Sequence, residues 1–444
     1  MSAGKLPQLI GYGIDAVARV LPCEAFVNSY LQTLTVGKLT VISPSGATTV
    51  YGDANEKVFK ATLTIKNANF YKRSALKESI GLGESFMDGD WECDDLVSFF
   101  CIVVENIKAG KKYNNSLVGR GINTAVASAT GWLRWLMTNS PSLSLANVQA
   151  HYDLGNDFYQ LWLDKDFMAY TCALYLTPKD TLEKAQANKI HLIIKKLQLK
   201  QTDRLLDLGC GWGGLALEAA RKVGCRVLAV NLSKEQIEFA RKQAAKEGLS
   251  HLCEFRHADY RTINPEADGL FDKISSVGML EHVGHYDLPT FFATCNRALK
   301  PNGILVTHCI TYIDSRYEQY LKETDFTKIY IFPGSDIPSL TALINAATAS
   351  AWTAEHVENL GFNYGLTCRE WRRRYNAKIQ EVEAMGYPKS FQRMFDFYLA
   401  WAEAAFVSKN LHLHQVIWKR PASDSGYPVA TNFVPLHGHR ESIE

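Results

Sequence analysis

The stretch LLDLGCGWGG at residues 205–214 constrains the fold of this chain more than any other feature. Gly209, Gly211 and Gly214 match the glycine spacing of a tight strand-to-helix turn, in which the backbone approaches a ligand at the helix N-terminus. The pattern alone is compatible with a nicotinamide or flavin site, with a site for another adenosyl compound, or with a purely structural turn. The neighbouring residues have to distinguish these alternatives.

The region after His151 alternates between candidate strands and helical segments, which is typical of an open parallel sheet. Asp180 and Glu183 form a capping pair that predicts the start of a helix before the first strand. Residues 311–412 are predicted to be mainly helical, as an insertion that covers a ligand site. The candidate strands are residues 204–209, 226–230, 271–277 and 303–309.

The first 110 residues follow a different pattern. Alternation in KLTVISPSGATTVYG, interrupted by a Pro-Ser-Gly turn signal, predicts a hairpin, and KVFKATLTIKN predicts another strand. LGESFMDGDWECDDL at 82–96 is interpreted as a loop with one turn of helix. We therefore predict a small α+β accessory domain at 1–110, a linker at 111–150, an α/β domain at 151–420 and a C-terminal tail at 421–444.

Length, charge and composition narrow the class of protein. A chain of 444 residues suggests two or three domains, and its 48 basic and 46 acidic side chains provide no overall field that would favour nucleic acid. No signal-peptide core follows Met1 and no run of about 18 apolar residues occurs, so we expect a cytoplasmic protein that does not span a membrane. The ten cysteines include no CxxC pair, so we expect reduced thiols and no metal site.

The residue after the second strand argues against a nicotinamide cofactor. A dinucleotide site of this fold needs an acidic residue about 20 positions after the first glycine, and Asn231 stands there. Asp207 instead precedes the glycines, where it could attract the ammonium of an amino acid whose carboxylate faces the amides of the turn. This arrangement favours S-adenosylmethionine. Ala258-Asp259 and FDKISSVGMLEH follow in the order found in Rossmann-like methyltransferases, which the chain resembles over residues 200–310.

Five ordered motifs carry a closer resemblance. They are HYDLGNDFYQLWLDKDFMAYTCALY at 151–175, LLDLGCGWGGLA at 205–216, SVGMLEHVG at 276–284, VTHCI at 306–310 and YIFPGSDIPS at 330–339. Over residues 151–420 the chain resembles the cyclopropane fatty acid synthase family and its mycolic acid relatives, and its N-terminal region is similar to that of bacterial phospholipid-modifying members. The resemblance implies transfer of a methylene group from S-adenosylmethionine to a cis double bond in an acyl chain of a membrane phospholipid. It also implies a homodimer.

The resemblance further implies two sets of site residues. A bound bicarbonate ion would take the proton whose removal closes the ring, and the positions that match its site are Cys172, Glu281, His308, Ile310 through its amide, and Tyr364. The positions that match the cofactor site are Tyr170, Thr171, Asp207, Gly209, Gly211, Asn231, Gln236, Ala258, Asp259 and Tyr260. The chain departs from the family at Thr171, where serine is usual, and at Leu174, where tyrosine is usual.

The implied chemistry gives a reason for the aromatic residues of this region. Attack of an alkene on a sulfonium methyl leaves a carbocation that water would convert to an alcohol, so the pocket should be apolar and closed. A desolvated aromatic face can stabilise such a cation by roughly 2 kcal/mol. An ordinary core is the alternative for most of the residues concerned, which are Tyr152, Phe158, Tyr159, Trp162, Phe167, Tyr170 and Tyr175.

Two other functions remain open. The same cofactor and lipid would yield a methylene or methyl branch if the cation lost a different proton, and a non-catalytic lipid carrier could retain the same fold. Transient contact with a membrane has two candidate surfaces. One is Arg369 with Arg372 to Arg374, for which a solvated helix face is the default interpretation. The other is the cluster Trp132 to Met137, for which burial against the next domain is the simpler interpretation.

Overall fold

The structure is a computed structural model that describes residues 22–53, 55, 58–109 and 154–420. The predicted linker at 111–150, the predicted tail at 421–444, the cluster at 132–137 and Tyr152 lie outside the described residues. Two sheets organise the described part of the chain.

The N-terminal elements form a four-stranded sheet with helices packed on it. They are α1 (Cys23–Leu31), β1 (Lys38–Ile42), β2 (Thr48–Gly52), β3 (Lys60–Ile65), α2 (Asn69–Met87), β4 (Trp91–Cys93) and α3 (Leu96–Lys108). The strand order is β2-β1-β3-β4, with β1 antiparallel to β2 and parallel to β3. Alternate residues of β1 and β3 face the core, so the period-two pattern of the sequence corresponds to real strands, and the predicted hairpin is confirmed.

The interpretation of residues 82–96 as a loop is wrong. Helix α2 continues to Met87, and β4 follows directly. Gly89, at a φ of 79°, ends the helix, because its amide can bond back to the Phe86 carbonyl in a conformation that glycine adopts without strain. Trp91 is fully buried against Phe86 and Phe99, and this burial holds the segment in the sheet.

The second sheet has seven strands and follows the predicted alternation. Its first part consists of α4 (Asn156–Gln160), α5 (Leu182–Leu197), β5 (Arg204–Leu208), α6 (Gly214–Val223), β6 (Arg226–Asn231), α7 (Lys234–Lys246), β7 (Cys253–His257), α8 (Pro265–Asp268), β8 (Phe271–Val277), α9 (Leu288–Ala298) and β9 (Leu299–Tyr312). Its second part consists of α10 (Tyr317–Lys322), α11 (Phe326–Tyr330), α12 (Leu340–Thr348), β10 (Thr353–Asn359), α13 (Gly361–Ala377), α14 (Ile379–Ala384), α15 (Lys389–Val407) and β11 (Leu411–Lys419).

The strand order is β10-β11-β9-β8-β5-β6-β7. The five strands from β5 to β9 are parallel, whereas β11 is antiparallel to both of its neighbours. One apolar core lies under α9 and α12, and another lies under α5, α6 and α7, so helices cover both faces. This architecture confirms the predicted α/β, Rossmann-like fold.

Residues 311–412 are mainly helical, as predicted, and the strand β10 interrupts the helices. The burial of β10 alternates between exposed and partly buried residues, as expected for an edge strand with few apolar side chains. Helices α13 and α15 pack together, and α15 also contacts α3 through the rings of Phe100 and Phe397, whose centres lie 4.9 Å apart. The helical region therefore joins the large sheet to the small one.

The helix that precedes β5 begins one residue later than expected. Its N-cap is Thr181, whose hydroxyl accepts a hydrogen bond from the Lys184 amide. Asp180 instead accepts hydrogen bonds from the amides of Leu176 and Thr177 and so closes the preceding turn. Across residues 22–53, 58–109 and 154–420, no helix combines the length and the hydropathy that a membrane span requires.

Candidate active site

The glycine-rich turn lies where the sequence places it, between β5 and α6. Gly209 and Gly211 have φ values of 74° and 54°, which glycine tolerates best. A Cβ on Gly209 would lie 2.8 Å from the Cβ of Met279, so a side chain there would collide with the segment after β8. The turn is therefore held close to the carboxyl end of β8, where ligands of parallel sheets bind.

Two adjoining cavities open over this turn, with volumes of about 730 and 620 Å³ including the space open to solvent. They share Gly209, Gly211, Gln236 and Gly278 as lining residues, and we call the combined space the cofactor cleft. All ten positions that the resemblance assigned to cofactor binding line it. These are Tyr170, Thr171, Asp207, Gly209, Gly211, Asn231, Gln236, Ala258, Asp259 and Tyr260.

Asp207 is buried at the base of the cleft. Its Oδ1 accepts a hydrogen bond of 2.6 Å from the Ser275 hydroxyl, whereas its Oδ2 has no hydrogen-bond partner among the described residues. Burial raises the pKa of Asp207 to about 6. A buried carboxylate oxygen without a partner fits a cationic group such as the ammonium of an amino acid.

Gln236 and Tyr260 supply two further polar atoms to the cleft. The Asn231 amide donates to Gln236 Oε1 at 2.6 Å, which leaves Gln236 Nε2 buried without a partner in the described part of the chain. The Tyr260 hydroxyl is in the same situation. Gln236 is therefore not part of a solvated helix face, the alternative for that position. The Asp259 carboxylate, by contrast, pairs with Arg261 at 2.6 Å.

Lys189 is a cleft residue that the sequence analysis did not single out. Its Nζ donates to the Thr171 hydroxyl at 2.8 Å, and the side chain is buried. Burial lowers the pKa of Lys189 to about 8, although the charges of Asp164, Cys172 and Asp207 raise it. A signal for it exists in the sequence, because Lys189 falls on the buried stripe of α5 between Ala185 and Ile193.

Glu281 lies in a short turn after β8. Its Oε1 accepts a 2.7 Å hydrogen bond from the Ile310 amide, and its buried Oε2 has no partner among the residues described. Burial raises the pKa of Glu281 to about 7, although the bond from Ile310 lowers it. The Ile310 amide, which was expected to face a bound ion, is used by the protein itself in this structure.

His308 lies on β9 and is almost completely buried. Its Nδ1 is 2.9 Å from the side-chain amide nitrogen of Gln415, and its Nε2 has no partner within the described ranges. Burial, together with the positive charges of Lys189 and Lys196, lowers the pKa of His308 well below its ordinary value. The imidazole is therefore neutral and carries one proton.

Cys172 and Tyr364 complete the second predicted set. Both are buried, and the ring of Tyr364 stacks on Phe406 at 4.4 Å. Burial raises the pKa of both groups, and the pKa of Tyr364 is raised further by the negative charges of nearby groups that include Glu281 and Cys172. The charges of Cys172 and Glu281 thus act on Tyr364, and the Ile310 amide binds Glu281. We call Cys172, Glu281, His308, Ile310 and Tyr364 the buried cluster, in which His308 is included because the resemblance assigns it to the same set.

The buried cluster adjoins the cofactor cleft at two points. Thr171 lines the cleft and Cys172 follows it, whereas Gly278 lines the cleft and its amide donates to the His308 carbonyl at 2.8 Å. A Cβ on Gly278 would lie 2.4 Å from the methyl carbon of Thr171, so these two segments are in contact. The arrangement places a buried set of polar side chains directly behind an open cleft.

A group of packed aromatic rings borders the cleft. The Tyr170 ring lies 5.6, 5.2 and 5.2 Å from the rings of Tyr159, Trp162 and Trp371, and its hydroxyl is 2.9 Å from the Tyr398 hydroxyl. Tyr159, Trp162 and Phe158 are fully buried core residues, as expected for most of the aromatic set. Tyr170 itself lines the cleft.

The arginine-rich helix α13 is not a free basic surface. Each guanidinium pairs with a carboxylate of the protein, so the patch does not offer unneutralised charge to a lipid head group, and two of the four side chains are mostly shielded from solvent. The pairs are Arg369–Glu403, Arg372–Asp396, Arg373–Glu370 and Arg374–Glu183.

The chain is similar in sequence to several known proteins. The sequence profile named mycolic acid cyclopropane synthetase matches residues 140–416. The cyclopropane-fatty-acyl-phospholipid synthase of Escherichia coli K12 is 38% identical over 361 residues, which cover 81% of this chain and 88% of that protein. The tuberculostearic acid methyltransferase of Mycobacterium tuberculosis is 30% identical over 358 residues, covering 76% of this chain and 78% of that protein.

A solved structure supports the same assignment. The crystal structure of mycolic acid cyclopropane synthase CmaA1 complexed with SAH and CTAB superposes with a TM-score of 0.58 at 29% identity, covering 62% of this chain and 98% of that one. Fold, cleft and sequence relationship agree. The chain therefore belongs to the mycolic acid cyclopropane synthetase family and is an S-adenosylmethionine-dependent methyltransferase.

Proposed function

We propose that this enzyme transfers a methylene group from S-adenosylmethionine to a cis double bond in an acyl chain of a phospholipid, and that a bicarbonate ion in the buried cluster is the base. The observation that carries the proposal is the pair of orphaned polar atoms, Glu281 Oε2 and His308 Nε2, which are buried without partners among the described residues. Buried polar atoms of this kind normally have a partner, so a polar ligand between them would satisfy both.

The cofactor cleft provides the complementary half of the reaction. S-adenosylmethionine, when bound, supplies a methyl group on a positively charged sulfur. Asp207 Oδ2 would pair with its ammonium, and Gln236 Nε2 and the Tyr260 hydroxyl would bind its adenosine part, since all three atoms are buried without partners in the described residues. Gly209 and Gly211 allow the backbone of the turn to approach the ligand.

The charge states of the cluster suit an anion. A neutral His308 can donate one hydrogen bond from Nε2, and Glu281, with a pKa raised to about 7, can be protonated and avoid placing a second negative charge beside the ion. Glu281 can equally accept a hydrogen bond from a protonated anion and orient it. Bicarbonate bound there would accept the proton released during ring closure. Tyr364 and Cys172 would complete its surroundings.

Exclusion of water is the third requirement. Cys172, Glu281, His308 and Tyr364 are buried, and Tyr170 packs with the buried rings of Trp162 and Trp371 beside the cleft. These rings would also face a developing positive charge, which aromatic faces stabilise. The alkene is a weak nucleophile, so exact placement against the sulfonium matters more than activation by a side chain.

The identity of the substrate rests on the relatives. The Escherichia coli relative is named for a fatty-acyl-phospholipid substrate, and its similarity extends over most of both chains. We extend that substrate to this protein, together with a cytoplasmic location, transient contact with the bilayer and a homodimeric state. We also propose that the N-terminal sheet forms an accessory lipid-binding module, separate from the catalytic domain at 151–420.

Product analysis tests the proposal. The enzyme is incubated with vesicles of a monounsaturated phospholipid and S-adenosylmethionine carrying a labelled methyl group. We expect each modified chain to gain the mass of one CH2 group and to show the upfield proton NMR signals of a cyclopropane ring. Retention of the unmodified chain under these conditions would contradict a catalytic role on phospholipid.

A second product class is favoured by one relative. The tuberculostearic acid methyltransferase is 30% identical to this chain, and loss of a different proton from the same cation would give a methylene branch instead of a ring. The two products have the same mass. Signals of a terminal =CH2 group that carries the label, without upfield ring signals, would assign the branched product and remove the cyclopropane assignment.

A further inference from the structure

Three neighbouring strands carry a row of polar side chains behind His308. Gln415 on β11 lies directly opposite His308 on β9 and opposite Glu358 on β10 in the strand register. Lys196 of α5 projects onto this row, and its Nζ donates to Glu358 Oε2 at 2.6 Å and to Gln415 Oε1 at 2.7 Å. The row ends with Gln415 Nε2, which is 2.9 Å from His308 Nδ1.

The burial of this row makes its hydrogen bonds selective. Lys196, Gln415 and His308 are 2%, 0% and 1% exposed, so water does not compete for their polar atoms. Glu358 is the partly exposed end and pairs with the ammonium of Lys196. Buried polar groups that are fully bonded specify one arrangement, because any alternative leaves a group without a partner.

The ammonium of Lys196 determines which way the Gln415 amide points. An ammonium only donates hydrogen bonds, so it must face the carbonyl oxygen of the amide. The reversed amide would place its NH2 group against the ammonium, with two donors facing each other. The NH2 group of Gln415 is consequently directed at His308 Nδ1, which has to accept.

We propose that Lys196 and Gln415 are positioning residues that hold neutral His308 as the tautomer with its proton on Nε2. That proton then lies on the side of the ring away from the row, at Nε2, which is buried without a partner among the described residues. His308 would therefore always present a hydrogen-bond donor at Nε2 and never an acceptor. A donor at this position favours binding of an anion over binding of a cation. The anion itself belongs to the function proposed above, whereas the tautomer does not depend on it.

The alternative is that this row only fills the space between α5 and the sheet. A purely structural row would lower stability when disrupted but would leave the proton position of His308 irrelevant to turnover. The two possibilities are distinguished by changing the hydrogen-bond character of Gln415 while keeping its shape.

The substitution Gln415→Glu makes this change. A carboxylate can still accept from Lys196, but it can only accept from His308, so the imidazole must place a proton on Nδ1. Thr307→Val is the matched control. It removes the buried hydrogen bond of 2.9 Å between Trp418 Nε1 and the Thr307 hydroxyl, which joins the same two strands one position along β9.

The experiment is 15N NMR of the full-length enzyme with labelled histidine side chains, with the His308 signals assigned by their loss in His308→Gln. We expect the wild-type protein and Thr307→Val to show a proton on Nε2 and an accepting Nδ1, and Gln415→Glu to show a proton on Nδ1. We expect turnover of Gln415→Glu to fall roughly 10- to 100-fold, as for other residues that orient a functional histidine, while the Kd for S-adenosylmethionine changes less than about twofold.

Two results would overturn the proposal. One is a wild-type His308 that carries its proton on Nδ1, which is decided without any variant of the row. The other is a Gln415→Glu enzyme with a moved proton and wild-type turnover, which would reduce the row to packing while leaving the function proposed above intact. If the wild-type enzyme forms no cyclopropane product, the proposed function fails, but the NMR measurement still decides the position of the proton.

Discussion

The cofactor cleft and the buried cluster lie next to each other but are built on different physical principles. The cleft is open to solvent and is formed by a backbone turn after one strand, with Asp207 as its buried charge. The cluster is closed and is assembled from side chains of distant segments, of which Glu281 and His308 are tuned by burial. We propose a division of labour between them, in which the cleft determines affinity for the methyl donor and the cluster determines the rate of the chemical step.

The largest expected effect comes from the cluster. Glu281→Gln keeps the shape of the side chain but removes the carboxylate that would accept a hydrogen bond from bicarbonate and orient this base, so we expect kcat to fall roughly 100- to 1,000-fold. Cofactor affinity, measured by calorimetry, should change less than about twofold, because Glu281 does not line the cleft. The exposed Glu238→Gln is the control, with wild-type activity expected. Wild-type turnover of Glu281→Gln would contradict the proposal that the cluster determines the rate of the chemical step.

The next effect comes from the cleft and should have the opposite signature. Asp207→Asn removes the buried charge that would pair with the ammonium of S-adenosylmethionine, so we expect the Kd for this cofactor to rise roughly 10- to 100-fold. At saturating cofactor, kcat should stay within about threefold of wild type. The matched control is Asp272→Asn. Asp272 lies at the amino end of β8, does not line the cleft and pairs with Lys300. A loss confined to kcat would show that Asp207 belongs functionally with the cluster.

A third effect concerns how the Glu281 side chain of the cluster changes the stability of the protein with pH. The pKa of Glu281 is raised by burial from 4.5 to about 7, so the folded protein binds this proton more tightly than the unfolded chain. The stability due to this group is fully present below about pH 4.5 and is lost as the pH rises through 7. Glu281→Gln should therefore be more stable than wild type at pH 8 by about 3 kcal/mol, with the difference disappearing near pH 4.5.

Urea unfolding of both proteins across this pH range measures the difference. The other titrating groups are common to the two proteins, so their contributions cancel when the free energies of unfolding are subtracted. A difference that is constant with pH would mean that Glu281 titrates alike in the folded and unfolded states. The folded protein would then not raise the pKa of Glu281, even if substitution of this residue abolished turnover.

The contrast between the two regions also explains which residues could be predicted. The cleft depends on short local patterns, such as Asp207 before Gly209 and Gly211, and these patterns are visible in the sequence. The row behind His308 depends on which residues of β9, β10 and β11 lie opposite each other, and this register is not written in any one segment. Lys196 and Gln415 were missed for that reason, although Lys196 stands on the buried stripe of α5.

The same distinction applies to the fold. Four of the five parallel strands were predicted from short, largely buried segments, whereas the parallel strand β7, with the sequence CEFRH, carries three charged or polar side chains and was not predicted. The strand β10 is a polar edge strand, and β4 has only three residues. The burial of Trp91 against Phe86 decides the conformation of residues 82–96, and this contact requires the assembled core. Local capping was ambiguous between Asp180 and Thr181, because both side chains can accept hydrogen bonds from nearby amides.

The smallest expected effect lies at the boundary of the two regions. Thr171 lines the cleft, precedes Cys172 and accepts a hydrogen bond from Lys189. Thr171→Ser keeps that hydroxyl and loses only a methyl group in contact with Gly278, so both kcat and cofactor Kd should stay within about twofold of wild type. Thr171→Val keeps the shape but leaves buried Lys189 without this acceptor, which should cost roughly 1 to 3 kcal/mol of stability. If Thr171→Val changed kcat and Kd together while Thr171→Ser changed neither, the Thr171 hydroxyl would couple the cleft to the cluster. If Thr171→Ser alone impaired turnover, packing of the methyl group against Gly278 would couple them instead.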